Sequence, residues 1–276
     1  MTVRGSKHKK MLIDTHAHLN DPAFDADRNE VIGRAAGLGV SKLIEIACAP
    51  SEWAQGERLA TAFPDMVRCA FGVHPEYIKE FSPAVLPELE NYLQKACAVA
   101  VGEIGLDYWW EAGRKAEQLG LLEAQLPLCA KFSKPVVFHA RNGKTPELNA
   151  YADLLEALKS WEYRPAKRFR GVLHCFCGSW ADAKTGLDLG LALGVNGTFT
   201  YKKNDGLRET IRKAGLENII LETDCPYLPP QSSRGKRNDP SFIPEIAAMV
   251  ATHFGIGNAE LADKTTANAF ELFGQF

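Results

Sequence analysis

The sequence predicts an α/β protein whose single domain is a (β/α)8 barrel of TIM type, regular or distorted. Three observations lead there. The chain has 276 residues, close to the roughly 250 typical of such barrels. Eight short apolar runs alternate with segments of helical periodicity. Ionisable side chains gather at the C-terminal ends of those runs, where barrel enzymes keep their active sites. An open doubly wound sheet can be built from the same alternation, but eight units favour closure.

The strand candidates, in order, are "MLIDTH" (11–16), "KLIEIA" (42–47), "VRCAFGVH" (67–74), "AVAVGEIG" (98–105), "PVVFHA" (135–140), "GVLHCF" (171–176), "LALGVN" (191–196) and "NIILETD" (218–224). Each is a short apolar run rich in strand-forming residues. Between them, "DRNEVIGRAAGLG" (27–39), "EQLGLLEAQLPLCAKF" (117–132) and "TPELNAYADLLEALKS" (145–160) space apolar residues by three and four, as amphipathic helices do. The turn-rich segment "PPQSSRGKRNDP" (229–240) is a long loop after the eighth strand. Residues 1–10, "MTVRGSKHKK", read as a basic, disordered extension, with the barrel over 11–276.

Composition narrows the function. With 46% hydrophobic and 24% charged residues the chain can bury a sizeable core. A net charge of -2 announces no broad nucleic-acid-binding face, so any such contact is local. The basic start lacks the apolar core of a signal peptide, and no apolar run approaches the ~18 residues of a membrane span. Seven scattered cysteines suit a reducing compartment and read as small buried hydrophobes. The expectation is a cytoplasmic, monomeric protein without a membrane partner. Neither glycine-rich phosphate loop is present, which argues against a nucleotide cofactor.

The run "AVAVGEIGLDY" (98–108) ends its apolar stretch at Glu103. A buried carboxylate must be paired, hydrogen-bonded or metal-bound. The partners are at the other strand ends: His16 and His18 close the first strand, His74 the third, His139 the fifth, His174 the sixth and Asp224 the eighth. His16 and His18, at i and i+2, point to one side and can reach one ion together. A lone histidine on an apolar strand, such as His139 or His174, is more often a satisfied core residue, but a facing Glu and Asp reverse those odds. Six nitrogen or carboxylate ligands exceed the needs of one catalytic ion. Two divalent ions, drawn from Zn, Mn, Ni or Mg, are therefore expected. Such pairs, roughly 3.5–4 Å apart, activate water and clamp an in-line displacement, and the positive charge left over suits a phosphodiester.

The motifs "DTHAHL", "GVHPE", "GEIGLDYW", "FHAR", "GVLHCFCGS", "ETDCPYLPP", "RGKRNDP" and "NAFELFG" resemble, as an ordered set over about residues 11 to 273, the TatD family of metal-dependent deoxyribonucleases within the amidohydrolase-like barrel superfamily. The resemblance implies that His16, His18, Glu103 and Asp224 hold one ion and that Glu103, His139 and His174 hold the other, with Glu103 as the bridge. It also implies that His74 contacts substrate and that nucleotides are released from a 3′ end. The departures are Asp239 in "RNDP", where Glu is more usual, and "FHARNGKT" after the fifth strand.

Several neighbours carry competing readings. Arg141 suits a phosphate oxygen or a structural salt bridge. Arg234, Lys236 and Arg237 suit a solvated loop or phosphate contacts. Tyr108, Trp109 and Trp110 suit base stacking or lid packing. Asp14 and Glu222 fit residues that orient the ligands, and Asp107 a turn or helix cap. The first reading is a 3′ to 5′ exonuclease on DNA, with RNA as a further substrate, in which Glu103 and Asp224 are catalytic and Asp224 takes the water's proton. His74, Arg141 and Arg234 bind the strand. The alternative is hydrolysis of a small amide, ester or lactone; relatives of that sort commonly bridge their metals with a modified Lys where this chain has Glu103. A non-catalytic scaffold predicts ligand loss, and none of the six is missing.

Overall fold

The computed structural model describes residues 11–275, so the extension assigned to residues 1–10 lies outside the described residues. Eight parallel strands follow one another around a sheet in chain order: β1 Leu12–Ala17, β2 Val40–Ala47, β3 Val67–Phe71, β4 Ala98–Asp107, β5 Val136–Arg141, β6 Gly171–Leu173, β7 Leu191–Val195 and β8 Ile219–Leu221. Helices α1 Arg28–Gly37, α2 Pro50–Ala62, α3 Leu86–Leu93, α4 Lys115–Phe132, α5 Ala150–Ala157, α6 Trp180–Asp188, α7 Asp205–Ala214, α8 Ile243–Phe254 and α9 Asn258–Phe273 surround it. All eight expected strands form. No described helix is long and apolar enough to cross a membrane.

The strands bury two layers because alternate residues face opposite sides. Ile13, Ile44, Ile46, Ala70, Ala100, Val137, Val172, Ala192 and Ile220 form the inner cluster, closed at one end by Phe169, Ala269, Leu272 and Phe273. Leu12, Leu43, Val67, Phe71, Val136, Phe138, Leu191 and Ile219 belong to the larger cluster under the helices. The alanines in the inner set leave room for isoleucine and valine across a narrow barrel.

Three expected strands end early. β3 stops at Phe71, β6 at Leu173 and β8 at Leu221, so His74, His174 and Asp224 stand in the first residues of the following loops. The backbone turns at those points: Cys175 has φ 45 and Asp224 φ 61. The helix expected over 145–160 begins only at Ala150, where Asn149 accepts from the Ala152 amide. The preceding residues form a turn in which the Leu148 amide donates to the Thr145 carbonyl.

The seam between β1 and β8 lacks a regular ladder, and there the barrel is distorted. Ala17 bridges Cys225, the Asp224 amide donates to the His16 carbonyl at 2.9 Å and the His18 amide to the Cys225 carbonyl at 2.9 Å. Fully buried Asp14 adds two more, accepting from the Thr223 amide at 2.9 Å and the Thr223 hydroxyl at 2.6 Å, and the Thr15 hydroxyl donates to the Leu221 carbonyl at 2.9 Å. Asp14→Ala should strand the Thr223 amide without an acceptor and destabilise the protein by about 1–3 kcal/mol. Asp14→Asn, which keeps one acceptor, should lose less. Urea unfolding checks this, and an unchanged midpoint in Asp14→Ala would show that the seam is held by other contacts.

Candidate metal centre and active site

The residues flanking Glu103 explain how a carboxylate enters the barrel axis. Across β4 and β5 the register runs Gly102 to Val137 and then Ile104 to Phe138, so Glu103 is an extra residue in a bulge. Bulges re-aim side chains and are common beside active sites. Glycine is required on both sides of it: Gly102 has φ 147 and Gly105 φ 151, and a Cβ on Gly105 would lie 2.0 Å from the His139 carbonyl oxygen. Among the other register shifts, the one between Asp14 and Ala17 of β1 takes in His16. These two deviations occur where a ligand candidate turns inward.

The expected donors meet. Glu103 is 2% exposed, and its Oε1 lies 2.7 Å from His139 Nδ1, 3.6 Å from His174 Nε2 and 3.8 Å from His74 Nε2. Its Oε2 lies 3.3 Å from His16 Nε2. His16 Nε2 and His18 Nε2 are 3.1 Å apart, and Asp224 Oδ1 lies 3.4 Å from His18 Nε2 and 3.7 Å from His174 Nε2. Donor atoms within 4.8 Å of one another form the sets His16–His18–Asp224, His16–Glu103–His174 and His74–Glu103–His139. His139 and His174 thus fall in different sets, although both reach the same Glu103 oxygen.

The donor chemistry fits a metal ion. Imidazole nitrogens aimed at one another and at carboxylates, with almost no water access, are what a shared cation organises, and a mixed nitrogen and oxygen set suits Zn, Mn or Ni. The far nitrogens of two rings are held by carboxylates, as ligating histidines usually are. His139 Nε2 lies 3.0 Å from Asp107 Oδ2. His174 Nδ1 is 3.1 Å from Glu222 Oε1, close enough for charge pairing though not aligned as a hydrogen bond. His16 Nδ1 is buried without a partner, so Asp14, 3.3 Å from the His16 amide, orients that residue's backbone and not its ring.

Electrostatics show what the centre does without an ion. Burial opposes charge on every ring, but carboxylates overcome it at three. The Asp224 carboxylate carries His18 up to about 9, Asp107 and Glu103 carry His139 up to about 10, and Glu222 and Glu103 carry His174 up to about 9. Burial and the charge of His139 push His74 down to about 3, and burial with His174 lowers His16. Burial alone would raise Glu103 and Asp224; the surrounding histidines, His174 foremost, hold both below their usual values.

Several supporting residues show their full role only in the folded chain. Asp107 is a turn cap, its Oδ1 accepting from the Trp109 and Trp110 amides, but its other oxygen holds His139. Gln118 and Gln125 of α4 are fully buried and replace missing ladder bonds: Gln118 pairs with both backbone groups of Asp107, and Gln125 with both of Val73. Two polar residues seven apart on a buried helical face were the available clue. Glu45, raised to about 8 by burial, accepts from the Leu19 and Asn20 amides and secures the turn after His18.

The neighbours divide. Arg141 is exposed, and its guanidinium lies 5.3 Å from the Trp109 ring and 5.5 Å from the Trp110 ring; among the described residues it forms no ion pair. Arg234 stacks on Tyr201 at 4.3 Å. Arg237 is structural, paired with Asp27 at 2.6 and 2.9 Å. Asp239 pairs with Arg34 at 2.7 Å. Tyr108 is buried, bonded to Asp153 at 2.9 Å, and cannot stack on a base. Trp109 and Trp110, 39% and 62% exposed, can. Cys48, Cys69, Cys129 and Cys225 are buried as expected, whereas Cys177 is exposed and Cys97 and Cys175 are half-buried; all seven are free thiols.

Because metal ligands must be deprotonated, an incoming ion has to displace the protons of His18, His139 and His174. Affinity for Zn should therefore rise as pH increases from about 6 to 9, with protons released near neutrality. Calorimetry in buffers of different ionisation enthalpy reads both. An affinity independent of pH, with no proton release, would show that these rings are not displaced.

Comparisons with known proteins point to one family. The family model described as TatD related DNase matches residues 13–274. A protein described as an uncharacterized metal-dependent hydrolase, YabD of Bacillus subtilis, is 30% identical over 95% of this chain and 99% of its own. The 3'-5' ssDNA/RNA exonuclease TatD of Klebsiella pneumoniae is 34% identical over 95% of this chain and 98% of its own. The crystal structure of YjjV, a TatD homolog from Escherichia coli, has a TM-score of 0.87 at 32% identity, covering 96% of this chain and 98% of that one.

Proposed function

The chain belongs to the TatD family of deoxyribonucleases, and from that premise we propose that it removes nucleotides one at a time from the 3′ end of single DNA strands, with RNA strands as a further substrate. The observation that carries this is Glu103, one buried carboxylate shared by histidines from four parts of the barrel mouth. Glu103 would be shared by two divalent ions, of which His16, His18 and Asp224 would hold one and His139 and His174 the other. Such a pair, when bound, supplies Lewis acidity at the phosphate and a water that ionises near neutral pH.

The chain's own groups do the rest. Asp224, held ionised by His174 and His18, takes the proton of the attacking water at Oδ1. The water oxygen adds to phosphorus, the P–O3′ bond breaks, and a nucleoside 5′-monophosphate leaves. His74, kept neutral by burial beside His139, lies next to Glu103 and contacts the terminal nucleotide. Arg141, its donors uncommitted to carboxylates, grips the next phosphate, and Arg234 does so from the Tyr201 side. The exposed faces of Trp109 and Trp110 stack on unpaired bases, a contact worth about 1–3 kcal/mol per base and available only where bases are not already stacked in a duplex.

Glu103→Gln keeps the shape and removes the charge shared by two cations. It should lose activity and at least one of the about two ions expected per chain, read by elemental analysis beside a nuclease assay. Equal metal content and activity in the variant and the parent would refute the shared site. A strand must also enter by its end. Single-stranded circles should survive where the linear form of the same sequence yields acid-soluble nucleotide, and rapid loss of circles would mean internal cleavage.

A further inference from the structure

We infer that Cys48 is a metal ligand of this centre, its sulfur joining Glu103 and His18 around a thiophilic divalent ion such as zinc or cadmium. The inference rests on the proposed metal centre and adds to it a donor of a different chemical kind.

The position follows from strand periodicity. Ile44 and Ile46 of β2 both face the barrel interior, and Cys48, two residues further, continues the same side one layer higher. That layer is where Glu103, His139 and His174 stand. Cys48 is 5% exposed. Its sulfur lies 3.7 Å from Glu103 Oε2 and 4.0 Å from His18 Nδ1, and the three residues form one of the donor sets with ligand atoms mutually within 4.8 Å. Donors bound tetrahedrally to one zinc, sulfur at about 2.3 Å and oxygen or nitrogen at about 2.0–2.2 Å, stand roughly 3.6 Å apart. The observed separations are within a few tenths of an ångström of that.

His18 joins this site to the centre already described because its two nitrogens face different groups; with an ion on each side it would be an imidazolate, its ring N–H proton leaving to solvent as well. Nε2 points to His16 and Asp224, while Nδ1 points to Cys48. Glu52 fixes the approach of the sulfur by accepting from the Cys48 amide at 2.8 Å. On binding, the S–H bond gives way to a sulfur–metal bond and the proton leaves to solvent. Burial and Glu103 keep the thiol protonated in the metal-free protein; a bound cation reverses that balance, since a coordinating thiol is deprotonated outright. A sulfur ligand should bias the centre toward Zn and Cd and away from Mg and Mn.

The test titrates the full-length, metal-stripped protein with Cd2+ and follows thiolate-to-cadmium absorption in the near ultraviolet. The parent and Cys177→Ala, whose thiol is exposed, should show the band as the first ions bind. Cys48→Ala and Cys48→Ser should lack it, and their Zn affinity in chelator competition should fall about tenfold or more. The serine variant guards against misfolding from a lost side chain, and circular dichroism confirms the fold of both. A band of equal strength in a folded Cys48 variant, or no band in the parent, overturns the inference. The readout needs no nucleic acid, so a protein that shows the band yet cleaves no DNA would overturn only the nuclease reading.

Discussion

Closure of the barrel between its first and last strands is the constraint on which the site depends. β1 carries His16 and leads into His18, and Asp224 follows β8, so the donors of one proposed ion come from opposite ends of the chain. They meet only because the seam closes. A regular ladder would hold the two strands straight past each other, but β8 is three residues long. Crossed bonds replace it, from the Asp224 amide to the His16 carbonyl and from the His18 amide to the Cys225 carbonyl. The backbone bonds that close the barrel thus belong to the ligand candidates themselves.

The same economy governs the interior charge. Two carboxylates at the centre and two behind it surround five closely packed imidazoles, with His16 and His174 stacked at 3.4 Å. In a low-dielectric interior this arrangement is tolerable only if each charge faces an opposite one. The metal-free centre meets that condition with protons on His18, His139 and His174. A metal pair would meet it with its own charge. Asp107 and Glu222 then serve either state by holding the outer edges of His139 and His174. Gln118 and Gln125 hold the end of β4 at Asp107 and the Val73 backbone beside His74, so the reach of the ligands is set by α4 as well as by the strands.

The mouth of the barrel shows how a protein of net charge -2 can receive a polyanion. Arg237 is consumed by Asp27 and Asp239 is tied to Arg34, so the basic loop after β8 is partly a structural strut. Arg141 and Arg234, which form no ion pair among the described residues, each lie against aromatic rings. Stacking on an indole or phenol fixes a guanidinium without neutralising it, which preserves its donors for phosphate while limiting the grip to a short stretch of strand.

The sequence by itself determined the fold class, the eight strands and the ring of donors, because period-two apolar runs and ionisable residues at their ends are local patterns that a barrel converts into one face. The glycines around Glu103 were visible, but their purpose was not, since a bulge is a relation between two strands. Tertiary structure alone decided that His74, His174 and Asp224 sit in loops, that Asp107 holds His139, that Arg237 is spoken for and that Tyr108 is buried. It also decided that Cys48, at the edge of the inner apolar cluster, lies within 4.0 Å of Glu103 and His18. Each of these depends on which residue lies across a gap from another, and such distances are set by register, bulges and closure, which no single segment of sequence contains.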